Sequence, residues 1–264
     1  MKLEALLKRL KNNDPSLTRL SIEDVNSKDW EALGADKAVI ALAEALEHNT
    51  TVIRFDAAGS GELTDDAARA LAKTLKTNRT LAELNLCTND IKHEGMWALA
   101  DALRTNNTLV EIYLPDNPAE TELISRDLQD AVLANKSKNI CLVDFDKNQP
   151  KVREFCLNNK AIATKLVGKI LNDETITAKD AAEIKDRLPA MGYVLRQEFG
   201  VEAGKKVLAI LDKAKKIAEN TYDPHASDNL VIPVRTGETE AQFRNALALQ
   251  RMKKGPTGGR GEIS

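Results

Sequence analysis

Apolar residues recur along this chain in two alternating registers. One is the phrase apolar-x-x-apolar-x-apolar, which begins at Leu17 (LTRLSI), Val52 (VIRFDA), Leu81 (LAELNL), Leu109 (LVEIYL) and Ile140 (ICLVDF), with steps of 35, 29, 28 and 31 residues. Its closing alternation marks a short strand with one face turned to a core. The other register is helical and fills the gaps: VIALAEALEHN (39–49), ARALAKTLKTN (68–78) and MWALADALRTN (96–106). In these stretches Leu42/Leu46, Leu71/Leu75 and Leu99/Leu103 lie four apart on one helical face. The alanines between them let the helix approach a strand layer closely. Helix, tight turn and strand in one fixed order require neighbouring strands to run parallel. A period of this size means that no unit can bury its apolar face alone, so the units stack. The pattern therefore predicts an α/β solenoid, a curved parallel sheet with helices on its outer side.

Departures from the period have a structural reading too. The first step is long because EDVNSKDWEALGAD is inserted in the first unit, and ETELISRDLQDAVLAN (120–135) makes a fourth helix in a slightly longer repeat. Residues 3–12 form a leading amphipathic helix that caps the open end of the stack, which a terminal repeat requires. Asn49, Asn78 and Asn106 close the helices, positions where asparagine suits a left-handed C-terminal turn.

From about residue 161 the repeat gives way to an all-α C-terminal extension. KAIATKLVGKILND reads as an amphipathic helix. ITAKDAAEIKDRL opens at Thr177 ahead of Asp180 and is expected to stop before Pro189. The stretch AMGYVLRQEFGVEAGKKVLAILDKAKKIAEN supports one broken helix or two, punctuated by Gly200 and Gly204. The expected organisation is 1–160 solenoid, 161–220 helical cap, and 221–264 tail. In the tail, NLVIPVR reads as an edge strand or docking segment, GETEAQFRNALALQRMKK is helix-like, and GPTGGRGEIS is flexible.

Bulk properties narrow the function. A net charge of -2 gives no drive toward nucleic acid or anionic lipid, so neither is an expected partner. The Lys213, Lys215 and Lys216 cluster, interspersed with acids, reads as a solvated helix face. No apolar run is long enough to span a bilayer. Leucines in MKLEALLKRLKNN are interrupted by charges, unlike a signal peptide. Three cysteines without metal spacing (Cys87, Cys141, Cys156) read as reduced thiols in a cytoplasmic protein.

The stretches LKRLKNNDPSL (7–17), LAEALEHNTTV (42–52), LAKTLKTNRTLAELNLCTNDI (71–91) and LADALRTNNTLVEI (99–112) resemble leucine-rich repeats of the ribonuclease-inhibitor type. Within that class they look like the C-terminal repeat domain of tropomodulins. NQPKVREFCLNNK (148–160) resembles the helix that ends that domain. The resemblance covers about residues 5–160 and implies a leucine-rich-repeat solenoid. Tropomodulins cap actin filament ends, which makes actin a possible partner, but the chain is expected to lack a counterpart of their long N-terminal half, so no actin-binding residue is carried over. Size and style also resemble repeat effectors that intracellular bacteria deliver into a host cytoplasm, and the acidic GETE block before a polar end is similar to a bacterial secretion signal.

Strand positions between the core residues face the inner side of the sheet: Arg19, Ser21, Glu23; Arg54, Asp56, Ala58; Glu83, Asn85, Cys87; Glu111, Tyr113, Pro115; Leu142, Asp144, Asp146. Adjacent parallel strands are about 4.8 Å apart, so these side chains form a stripe dominated by carboxylates, with two arginines at the near end. A stripe of one sign selects a partner of the other, and an aromatic within it serves as an anchor. The residues expected to touch a partner are Arg19, Arg54, Asp56, Glu83, Asn85, Glu111, Tyr113, Asp144 and Asp146. The expected function is that of a non-enzymatic binding module that occludes a protein with a basic or mixed surface. The alternatives are actin binding or pointed-end capping, and an effector role.

Enzymatic readings find little purchase. Cys87, Asp90 and His93 lie within one regular repeat, His48 sits at a helix end, His225 lies in the tail, and GSGE (59–62) lacks the lysine of a phosphate loop. No metal ligand set and no cofactor are expected.

Overall fold

The structure, a computed structural model, describes residues 1–119, 122–135, 137, 139–144, 150–172, 174, 176–199, 210–212, 214–215 and 217–219. The chain divides into two compact units, Met1–Ile162 and Ala163–Ser264.

In the first unit, helix α1 (Leu3–Lys11) precedes strand β1 (Arg19–Ser21). Then come a 3-10 turn (Ile22–Asp24), α2 (Ser27–Leu33), α3 (Ala35–Leu46) and β2 (Arg54–Asp56). The remaining elements are α4 (Asp65–Thr77), β3 (Glu83–Asn85), α5 (His93–Thr105), β4 (Glu111–Tyr113), α6 (Glu122–Ala134) and β5 (Leu142–Asp144), and α7 (Pro150–Leu171) begins here. The five strands form one sheet in sequential order, every pair parallel. The insertion in the first unit supplies the 3-10 turn and α2, so the long first step adds a helix without displacing a strand.

Register explains why so short a strand suffices. Leu20, Phe55, Leu84 and Ile112 occupy equivalent positions in consecutive strands, and each is buried. They form one stack across the sheet. Burying a side chain of this size stabilises by about 1.5–3 kcal/mol. The helical leucines close the stack from the outer side: Leu42, Leu46, Leu71, Leu75, Leu99 and Leu103 are all buried. Leu3, Leu6 and Leu10 of α1 join the same core, which is how the leading helix covers the first repeat.

The asparagines that end the helices act differently from the expectation. Asn78 and Asn106 have extended backbone, φ -64°, ψ 137° and φ -67°, ψ 133°, so no left-handed turn forms there. Their side chains carry the turn instead. Asn78 Nδ2 donates to the Leu46 and Asn49 carbonyls at 2.6 and 3.0 Å, and its Oδ1 accepts from the Thr80 and Leu81 amides at 2.8 and 2.7 Å. Asn106 repeats this with the Leu75 carbonyl and the Thr108 and Leu109 amides, and Asn49 with the Leu10 carbonyl and the Thr51 and Val52 amides. Asn135 extends the column by donating to the Leu103 and Asn106 carbonyls. Four donors and acceptors on one planar amide match the bonds that each buried turn leaves open. A second column stands beyond the strands, where Asn89 donates to the Ala57 and Leu86 carbonyls and Asn117 to those of Leu86 and Leu114. Left-handed backbone occurs at Asn13, Thr88 and Asp116 and at Gly59 and Gly61 of the GSGE turn.

Helices also cap one another between repeats. Asp36 in the first turn of α3 accepts from the Thr64 amide and hydroxyl ahead of α4. Asp65 in the first turn of α4 accepts from the Lys92 and Gly95 amides of the next helix at 2.7 and 2.9 Å. A carboxylate at a helix N-terminus satisfies open amides and complements the dipole. Here the carboxylate comes from the preceding repeat, so the cap also sets the spacing between units.

Two expectations about the extension are corrected. No new helix starts at residue 160 or 161: α7 runs unbroken across that position to Leu171, since LNNKAIATKL contains no breaker. In the second unit, α8 (Ala178–Phe199) continues through Pro189 rather than stopping before it. An interior proline costs about 3 kcal/mol. Ile184, Ala190, Met191, Tyr193, Val194 and Leu195 are buried along the same helix and offset that cost. Thr177 and Asp180 cap its start reciprocally, the Thr177 amide donating to Asp180 at 3.0 Å and the Asp180 amide to the Thr177 hydroxyl at 3.1 Å. Lys169 bridges to Asp180 at 2.6 Å. Asp146, Gly200, Gly204, Lys213, Lys216, His225 and all of 221–264, with NLVIPVR and the expected secretion signal, lie outside the described residues.

Candidate functional site

The inner face of the sheet is built by the strand residues that point away from the leucine stack. Strand register aligns them in two rows: Arg19, Arg54, Glu83, Glu111, Leu142, and beside it Ser21, Asp56, Asn85, Tyr113, Asp144. Eight of the nine expected contact residues are thus brought onto one surface; the ninth, Asp146, is outside the described residues.

The chemistry of that surface differs from a stripe of one sign. Arg54 lies 3.0 Å from Asp56 and 3.6 Å from Glu83. Burial alone would lower its pKa, but the hydrogen bond to Asp56 and the charges of Asp56 and Glu83 outweigh it and hold the guanidinium charged. The first two acids of the expected stripe are therefore already paired. Glu111, expected to be exposed, is only 4% accessible. It sits in a central strand beneath Tyr113, two residues on and on the same face, and the phenol is hydrogen-bonded to it. Burial, and then the Glu111 charge, push the Tyr113 hydroxyl well above the usual phenol range. Tyr113 is thus half-buried and held by a buried carboxylate. Arg19 is exposed at one end and Asp144 partly exposed at the other, and Asn85 turns its Oδ1 to the Cys87 amide at 3.2 Å. The face has a positive end, a paired and aromatic centre, and an acidic end.

Cys87 lies just past β3 on this face. Burial first, and then the charges of Asp144 and Asp116, push its thiol up to about 11. A nucleophilic cysteine needs the opposite shift, so the neighbourhood of Cys87 suppresses the thiolate. Asp90 turns to Lys92 at 3.4 Å, while His93 packs edge-on against Trp97 with ring centroids 6.4 Å apart. His48 is exposed just beyond α3. Among the described residues no cluster of acids, histidines and cysteines suits a metal ion, and no helix is long and apolar enough to cross a membrane.

Sequence reasoning missed Trp97 on the outer side, where it is 46% exposed with its Nε1 donating to Asp127 at 2.7 Å. Superposing the helix repeats would have found it, because Trp97 stands where the preceding helix has Arg69.

Parallel strands in sequential order, outer helices and buried asparagine columns define a leucine-rich-repeat solenoid. Within that class, residues 1–137 match the family described as the TMOD/LMOD Leucine-rich domain. The chain belongs to that family. Human leiomodin-1 is 39% identical over 90 residues, and rat leiomodin-2 is 33% identical over 94. These matches take in 34% and 36% of this chain but only 14% and 16% of the relatives' lengths. Among solved structures, leiomodin-1 actin-binding site 2 superposes with a TM-score of 0.51 at 26% identity, covering 60% of this chain and 87% of that one. The Caenorhabditis elegans tropomodulin C-terminal domain does so with a TM-score of 0.52 at 18% identity, covering 64% of this chain and 100% of that one. At that identity the likeness is one of fold.

Proposed function

We propose that this chain is a non-enzymatic actin-binding module whose inner sheet face contributes to the contact. The observation that carries the reading is the match to leiomodin-1 actin-binding site 2, which spans most of that structure. Actin binding, first an alternative to occlusion of a basic partner, becomes the leading reading for an electrostatic reason as well. A face whose arginine and acids are internally paired has little long-range pull on a basic protein, and suits a partner of mixed surface. Within it we assign contact to Arg19, Arg54, Asp56, Glu83, Asn85, Tyr113 and Asp144, with Glu111 supporting Tyr113 from below. The solenoid, residues 1–160, is the binding part, and 161–220 is a helical extension. Delivery from a bacterium rests on residues 221–264 and is a separate proposal about route, not about binding.

Pyrene-actin elongation from seeds with blocked barbed ends, with monomer binding measured alongside, tests the reading. Slower elongation or saturable monomer binding by the full chain, weakened by Arg19→Glu with Asp144→Lys, is the expected result. No effect on either readout removes the actin reading. An effect that survives both substitutions retains actin and removes the inner face.

A further inference from the structure

The outer side of the solenoid changes character between its third and fifth helices. Between α4 and α5 it is a ladder of ion pairs: Lys73 of α4 reaches back to Glu47 at 3.0 Å, Arg69 reaches forward to Glu94 at 2.7 Å, and Lys76 to Asp101 at 2.6 Å. One repeat later the positions equivalent to Arg69 and Glu94 are Trp97 and Leu123. Trp97 is 46% exposed and Leu123 55% exposed. The core on this side is made by Met96, Leu99, Leu103, Ile124 and Leu128, all buried, so neither exposed side chain is needed to close it.

Trp97 is nevertheless held in place. Its Nε1 donates to Asp127, one turn beyond Leu123 on the same face of α6, and His93 lies edge-on against it. Fixing a large amphipathic ring in solvent reduces the entropy lost on binding. With its N–H already bonded, the indole offers a partner only its apolar, electron-rich face. Asp130, on the same face of α6 as Asp127, is exposed. An electron-rich ring, an exposed leucine and an exposed carboxylate together favour a cation carried on an apolar stem.

We infer that Trp97, Leu123 and Asp130 form a second contact surface, on the outer helices, for a protein segment that presents arginine beside apolar side chains. This surface is independent of the actin reading and lies on the other side of the repeats from the inner face.

The test uses the full chain carrying Trp30→Phe, which leaves Trp97 as the sole indole, after its cooperative melt is shown to be retained. The probe is a short acetylated and amidated amphipathic peptide of arginine and leucine, titrated against Trp97 emission. Saturable binding is expected, roughly ten-fold weaker for Leu123→Ser and for a peptide with glutamine in place of arginine. Emission that does not saturate overturns the inference. So does binding that is unaffected by Leu123→Ser, or equal for the glutamine peptide. Actin binding by the same protein is scored separately, so the two proposals fail independently.

Discussion

Replacing Asn78 by alanine tests whether the asparagine column, rather than backbone conformation, closes the helix-to-strand turns. The side chain is 2% exposed and makes four hydrogen bonds, two donated and two accepted. A typical buried bond contributes about 1 kcal/mol net, and an orphaned buried group costs about 1–3 kcal/mol. Alanine leaves two carbonyls and two amides without partners, and water admitted into the vacated space restores some of them. The expected loss is about 3–4 kcal/mol, a large fraction of the roughly 5–15 kcal/mol of a whole domain. In urea, with a slope of about 2 kcal/mol per molar, the midpoint falls by about 1.5–2 M. Hydrogen exchange localises the effect, because the Thr80 and Leu81 amides lose their acceptor. Asn78→Asp separates shape from chemistry. It keeps the acceptor but sets a carboxylate oxygen against the Leu46 and Asn49 carbonyls. That environment raises the folded-state pKa of the new carboxyl, so the deficit relative to wild type is largest at neutral pH, shrinks as the pH falls through that raised pKa, and levels off once the pH reaches the usual carboxylate range. Asn107→Ala, an exposed neighbour of the same column, is the control. A loss for Asn78→Ala below about 1 kcal/mol, or no greater than the control's, would refute the reasoning.

Other substitutions probe the remaining links. Gly95→Ala should destabilise, contrary to the usual helical gain of about 1 kcal/mol, because its Cβ would lie 2.6 Å from Asp65 Oδ1, 2.7 Å from Ile91 and 2.8 Å from Ala68. Overpacking of this kind costs about 1–3 kcal/mol, and a thermal melt at or above wild type would contradict it. Gly168→Ala in α7, where a Cβ meets nothing within 4 Å, should instead raise the melting point. Alkylation of Cys87 by iodoacetamide at pH 8 should run roughly a hundred-fold slower than that of a free thiol, given the rise from 9.0 to about 11; labelling at the free-thiol rate would restore a reactive-cysteine reading. Asp14, hydrogen-bonded by Ser16 and Arg9, has its carboxyl lowered to about 2. Its contribution is therefore present above about pH 4 and lost as the pH falls through about 2. Stability curves of wild type and Asp14→Asn should converge in that range, and parallel curves there would exclude the assignment.

Much of the architecture is legible before any coordinates. The leucines at Leu20, Leu84, Leu42/Leu46 and Leu71/Leu75 announce both periods, and a chain that alternates them near every 29 residues has few ways to bury its apolar faces other than stacking. The row of residues on the inner face follows from the same alternation. Legibility ends where a side chain's role depends on a neighbour that is distant in sequence. Nothing local distinguishes an asparagine that turns its backbone left-handed from one that bonds a carbonyl 32 residues away. Nothing local shows that Asp65 caps the next repeat's helix, or that Pro189 is carried by the burial around it. Arg54 and Glu83 look like free charges until parallel pairing sets them side by side, and Glu111 looks exposed until its place in a central strand beneath Tyr113 removes it from water. The sequence by itself determined the repeat, the parallel order of the strands and which residues share a face, because these follow from periodicity along one chain. Only the tertiary structure decided which of those residues are paired, buried or left for a partner, because pairing and burial depend on distances between repeats.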